Sequence, residues 1–272
     1  MTEKTQALAV PVGNFVVLSE PIEALSEILE ANIGDGSISA FDLDCIKVPA
    51  GGGTMWTIPT LEGEEDVKEI LGIIVHWRDG RSYWKESFDE TGGGTPPDCS
   101  GDGKVGTGVP GGYCSQCAFA KFGTAGKGHG QACKQQRYVF LVTEGGIIPF
   151  LLICPPTSLE PIKKYLLRLT SAKKPYYSVV TRFALIKDKN KDGIQFSKLA
   201  VGMAGALSEE QTAKIKAYAD KIRPALDEIN LTEAEYAEGE EYPEAEYAEY
   251  PEAEYAETVN ITMPDEAEAP KA

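Results

Sequence analysis

Histidine is nearly absent from this chain: His76 and His129 are the only two in 272 residues. Acid–base catalysis would therefore fall on carboxylates, and these show no distinctive pairing. The motifs of common catalysts are missing as well. There is no His-Glu-x-x-His. His76-Trp77-Arg78 lacks the glutamate of a zinc deaminase, and Tyr113 stands where such an enzyme has proline before its Cys-x-x-Cys. No phosphate loop is present, since Gly103-Lys104 is followed by Val105 and Gly126-Lys127 by Gly128. Asp188 to Gly193 imitates the start of a calcium-binding loop. Its twelfth position is Leu199 and its flanks read as strands, so it is better read as a hairpin turn. The chain is read as a non-enzyme.

Long apolar runs are also lacking. No stretch approaches the roughly eighteen residues that a membrane span needs, and Met1 to Val10 has no basic cluster leading into an apolar run, so no secretory signal is expected. Six cysteines are too few for a disulfide scaffold in a chain of this length. The expectation is a soluble protein of a reducing, cytoplasmic compartment. The sequons at Asn230 and Asn260 are then chance.

What is present is a sharply divided charge. The net value of −16 would suggest a protein that avoids nucleic acid. Yet residues 104–200 carry 15 basic and 4 acidic side chains, residues 1–103 carry 6 and 19, and the tail from 231 carries 1 and 14. The middle third is a cationic block between two anionic ones.

The tail is low in complexity. Residues 242–249 read YPEAEYAE, residues 250–257 repeat them, and residues 231–238 match the last six positions. Like charges repel, proline recurs and no aliphatic stripe exists, so residues 231–272 are expected to be a disordered acidic repeat tail.

Residues 1–230 are expected to form one domain. A helix capped by Ser19 or Glu20, with Pro21 in its first turn, carries Ile22, Leu25, Ile28 and Leu29 and ends at Gly34. Ile70 to Trp77 reads as a strand, with Arg78-Asp79-Gly80-Arg81 as a turn into a return strand holding Tyr83 and Trp84. Tyr138–Thr143 and Ile147–Ile153 form a hairpin across Glu144-Gly145-Gly146. Thr157 and Glu160 read as a capping box for a helix with Leu159, Ile162, Leu166 and Leu169 on one face. A second hairpin spans 177–201, and Ser208 with Gln211 opens a last helix that Pro224 should end or kink. Several hairpins and few crossovers predict a β-rich α+β fold, an antiparallel OB-like barrel with helices at its edges.

Residues 91–135 interrupt this pattern. They are glycine-rich and almost without aliphatic residues, so they cannot pack a core alone. Four cysteines lie there, Cys99, Cys114, Cys117 and Cys133, with the close pair following Gly111-Gly112 as a tight turn requires. Four thiolates suit a structural, closed zinc site, and metal would supply the folding energy that the segment lacks. His129 could replace Cys99 or Cys133, and an iron–sulfur cluster is the lesser metal alternative. Cys45 and Cys154 lie in apolar, strand-like segments and read as core.

Basic residues crowd around this segment and beyond it: Lys121, Lys127, Lys134 and Arg137, then Lys163, Lys164, Arg168, Lys173, Lys174 and Arg182. Aromatics interleave, among them Phe119, Phe122, Tyr138, Phe140, Tyr165, Tyr176 and Tyr177. Phosphates bind cations and every base offers a face to stack on, so a basic groove with exposed rings suits a single strand. Tyr138 and Tyr176 are the ring candidates, whereas Phe140 and Phe183 read as core.

A basic β-rich body, cysteines inserted in it and an acidic C-terminal tail together resemble, in layout, the phage-type single-stranded DNA-binding proteins of the T4 helix-destabilising kind. Pro96-Pro97-Asp98-Cys99, Tyr113 to Cys117, Ala132-Cys133-Lys134 and Pro155-Pro156-Thr157-Ser158 also resemble a family of phages and mobile elements. The first resemblance implies zinc, single-stranded DNA as partner, a role in replication or recombination, and a prokaryotic or phage-infected cell. The acidic tail, a flexible polyanion beside a cationic groove, can occupy that groove, be displaced by nucleic acid and recruit replication or recombination proteins. That family uses three Cys and one His at other spacings, and it has a basic N-terminal arm where Met1 to Val10 has one Lys and one Glu. The competing reading is an interaction or regulatory protein, an inhibitor with a structural zinc, whose acidic parts are the working surface.

Overall fold

The computed structural model describes residues 15–19, 27–28, 30–32, 34, 43–86, 96–125, 130–190, 193 and 195–228. The cap at Glu20–Pro21, Lys127, His129 and the acidic tail lie outside the described residues.

The elements, in order, are α1 (Val16–Ser19), β1 (Cys45–Lys47), β2 (Trp56–Thr60), β3 (Gly63–Val67), β4 (Glu69–Tyr83), β5 (Cys99–Gly101), β6 (Val105–Gly108) and β7 (Gly112–Tyr113). There follow β8 (Cys133–Thr143), β9 (Phe150–Cys154), α2 (Pro156–Ser171), β10 (Val179–Lys189), β11 (Gln195–Ala206) and α3 (Glu209–Glu228). Residues 27–28 and 30–32 are helical, and the Gly34 N–H donates to the Glu30 carbonyl with φ +84°, the helix end expected there.

Among the described residues, nine strands make one sheet in the order β1-β9-β8-β4-β5-β6-β7, with β10 branching from β4 and β11 pairing β10. The fold is β-rich and mixed, as expected, but the barrel is corrected: the sheet is open. β1 lies parallel to β9 at one edge, and the branches end on β7 and β11 with no strand joining them to β1 among the described residues. The helices are not edge elements either. Tyr138, Phe140, Val142, Leu151 and Ile153 face one side, with Ile215, Tyr218 and Ala219 of α3 and Phe15 and Val17 at α1. Val139, Leu141, Leu152 and Cys154 face the other, with Ile162 of α2. A sheet covered on both faces has no reason to roll up, because neither face needs to be closed on itself.

Trp56 is fully buried and its Nε1–H donates to the Phe183 carbonyl at 3.2 Å, which anchors the separate β2–β3 hairpin to β10. The expected hairpins β8–β9 and β10–β11 both form. Arg78 to Arg81, by contrast, is no turn: β4 runs straight through it, paired with β8 as far as Tyr83↔Cys133. Gly80 is needed for another reason. A Cβ there would stand 2.2 Å from the Tyr138 ring.

The Thr157–Glu160 box is also absent. Pro155 is the N-cap, without a side-chain hydrogen bond, and Glu160 pairs with Lys164 instead. Ser208 and Gln211 do form their reciprocal box at the start of α3, at 2.9 and 3.2 Å. Pro224 neither ends α3 nor stops its last turn, which reaches Glu228. Among the described residues, no helix is long and apolar enough to cross a membrane.

Candidate metal centre and basic surface

The glycine-rich segment folds onto the end of β4 as three short strands. Backbone packs directly on backbone: a Cβ at Gly101 would lie 2.1 Å from the Val105 carbonyl. The lobe is therefore built almost without side-chain core, as its composition demands. Gly111 and Gly112, at φ +66° and +80°, lead into a tight turn in which the Cys117 N–H donates to the Cys114 carbonyl at 3.2 Å. The Cys114 N–H donates to the Lys104 carbonyl at 2.9 Å. This is the turn that the sequence predicts for the close cysteine pair.

Cys99 and Cys133 come from the two strands that flank β4. Tyr83 pairs with Cys99 on β5 and with Cys133 on β8, so all three side chains share a face. Cys99, Cys114, Cys117 and Cys133 line one small pocket together with Arg81 and Tyr83. Its free space is about 10 Å³, roughly the room of one water-sized sphere rather than of a substrate. All four thiols are reduced, and three of them are buried. Burial pushes the Cys114 and Cys133 thiols up, against the pull of the Arg81 guanidinium.

Among the described residues, no three Cys, His, Asp or Glu side chains are drawn together as a ligand cluster. The register gives a physical reason. The β4 strand separates Cys99 from Cys133 by two strand spacings, about 10 Å between backbones, and Tyr83 fills the interval with Phe119 stacked on it at 4.3 Å. The donor set itself fits a thiophilic cation: four thiols, no competing disulfide, and a shared pocket of single-ion size. Arg81 and Tyr83 escape a reading of the sequence because they sit in the acidic third, Arg81 in an apparent turn and Tyr83 in the strand expected to return from it. The period-two alternation Trp77, Asp79, Arg81, Tyr83 was the available signal.

The described cations do not all lie on one face. Lys121 is exposed in the lobe, and Lys134 is half-buried at the start of β8. Arg137 donates to Asp79 at 2.7 Å and lies 4.3 Å above the Trp77 ring. Lys163, Lys164 and Arg168 are exposed on α2, and Lys173 and Lys174 follow at its exit. Arg182 is exposed on the opposite face of the sheet, because its neighbours Thr181 and Phe183 face α2, Thr181 through a 2.9 Å hydrogen bond to Tyr165.

Tyr138 is corrected as a stacking ring. It is buried, its hydroxyl donates to Gln136 Oε1 at 2.9 Å, and it packs over Gly80. Tyr165 and Phe140 are core as well, while Tyr176 is half-buried, edge-on to Tyr177. Cys154 is core as expected, its thiol pushed up to about 12 by burial. No family model, curated protein or solved structure matches this chain.

Proposed function

We propose that this protein binds single-stranded DNA with little regard to sequence and serves phage or mobile-element replication or recombination. The cationic block of residues 104–200, with 15 basic against 4 acidic side chains, carries this reading. Lys121, Lys163, Lys164, Arg168, Lys173 and Arg182 are exposed, so phosphates can reach them without unfolding. The acidic tail would compete with DNA for these cations and offer a handle to partner proteins. Cys99, Cys114, Cys117 and Cys133 would hold a structural Zn²⁺ that fixes the lobe's shape. Binding would need Cys99 and Cys133 to lean together past Tyr83, and loss of thiol protons to the metal.

A gel-shift titration tests the binding. Removing residues 231–272 should raise affinity for a single strand, and no binding at low salt by the shortened chain would sink the reading. Metal analysis of the four single Cys→Ser variants tests the zinc, with each expected to lower metal content.

One observation favours an interaction protein instead. The β2–β3 hairpin projects Glu62, Glu64, Glu65 and Asp66 into solvent, with Leu61 fully exposed at its tip. On that reading, tail removal leaves nucleic-acid affinity unchanged, and a protein complex survives neutralising Lys163, Lys164 and Arg168.

A further inference from the structure

Four large apolar side chains of the cysteine lobe are exposed. Val105 is 51% exposed, Val109 73%, Tyr113 67% and Phe122 68%, all within eighteen residues of chain. At these exposures the lobe's own packing makes little use of them. Val105 and Tyr113 are direct cross-strand partners, so their side chains lie together on one face of the β6–β7 ribbon. The adjacent position on β6, Gly106, faces the other way: a Cβ there would meet the Cys99 sulfur at 2.9 Å. Tyr113 therefore points away from the cysteine pocket, on the outer face of the lobe. Phe122 follows the short turn Ala118–Ala120, next to exposed Lys121.

The surroundings suit a polyanion. Residues 99–134 contain four lysines and a single acid, Asp102. That carboxylate accepts the N–H groups of Lys104 and Val105 at 2.8 and 2.9 Å, so it is turned into the β5–β6 turn. An excess of lysines over acids beside exposed rings matches a single strand, whose phosphates need charge and whose bases need flat faces. A protein partner's apolar surface would use the rings but leave the lysines without a role.

We propose that Tyr113 and Phe122 are the rings on which bases of a bound single strand stack, with Lys104 and Lys121 taking flanking phosphates. This rests on the single-strand reading above and places its stacking surface on the cysteine lobe instead of on Tyr138 or Tyr176.

The test uses the full-length chain with two oligonucleotides of equal length, one of thymidines and one abasic, followed by fluorescence anisotropy at low salt. Tyr113→Ala with Phe122→Ala should weaken thymidine binding by at least about tenfold, given the usual contribution of a base–ring stack, and leave abasic binding unchanged. The milder pair Tyr113→Leu and Phe122→Leu, which keeps apolar bulk, should show the same selective loss, and Phe122→Tyr should keep binding. Equal loss on both oligonucleotides, or no loss on either while the wild type binds, overturns the stacking assignment and leaves the single-strand reading standing. In the second case the patch belongs to a protein partner. A wild-type chain that binds neither oligonucleotide removes the single-strand reading and this assignment with it.

Discussion

Gly80 and His76 share one face of β4, against Tyr138 and Phe140 of β8, and serve different ends there. Gly80 looks like a turn residue in sequence, because Arg78-Asp79-Gly80-Arg81 has turn composition. Its real constraint is the Tyr138 ring, which occupies the space of the missing Cβ. That ring is itself fixed by Gln136, so it has little room to yield. Gly80→Ala is expected to destabilise the fold by about 1–3 kcal/mol, the usual range for overpacking a core, as measured by denaturant unfolding.

His76 follows a β-bulge and stacks on Phe140 at 5.6 Å, while its Nε2–H donates to the Asp227 carboxylate at 2.9 Å. Burial holds its pKa below the usual 6.5, and the Asp227 hydrogen bond and charge only partly offset this. The unfolded imidazole then takes up a proton more readily than the folded one. Stability should therefore fall as the pH drops through about 6.5 and stay level above it with respect to this group. Titration of the His76 ring by NMR should give a folded pKa under 6.5. His76→Gln should flatten the stability profile between pH 5 and 7 (about the range in which an ordinary imidazole titrates). A folded pKa above 6.5 would refute the account.

At the scale of elements, some signals were legible and others were misweighed. Ser208 and Gln211 formed the box that their spacing predicts, each side chain accepting the other residue's backbone N–H. Ser208→Ala should cost about 1 kcal/mol, read as a lower thermal midpoint with α3 still present. Thr157 and Glu160 have the same spacing but lose to context: Pro155 takes the cap position, and Ser158 accepts a hydrogen bond from the Leu199 N–H. The open sheet was also written in the chain. Val139-Phe140-Leu141-Val142 and Leu151-Leu152-Ile153-Cys154 are continuous apolar runs, whereas a strand of a barrel with a wet exterior alternates. Those runs called for helices on both faces. The forked pairing of β4 was not legible, since both partners of its free edge lie far away in sequence.

For the whole molecule, the described cations of the charge block do not all lie on one face. The fold carries α2 and β10 to different faces, so Lys163 and Arg182 end up on opposite sides of the sheet although 19 residues apart in sequence. The tight turn at the close cysteine pair was legible from Gly111, Gly112 and the two-residue spacing. The position of Tyr83 between Cys99 and Cys133 was not, because it depends on strand pairing over 16 and 50 residues.

The pairing of Tyr83 with Cys133 also bears on how such a chain can be assembled. The 49 residues between them are spliced into the tip of what would otherwise be a plain β4–β8 hairpin. Closing a loop of that length costs only about 2–3 kcal/mol more than closing a two-residue turn, because loop entropy grows with the logarithm of length. The body can therefore carry the lobe cheaply. Replacing residues 84–132 by Asn-Gly should leave a chain that still unfolds cooperatively, as followed by circular dichroism, and a loss of the cooperative transition would show that body and lobe fold only together. If the excised body folds, the lobe is a module that could be gained, exchanged or retuned for a different strand without redesigning the sheet that bears it.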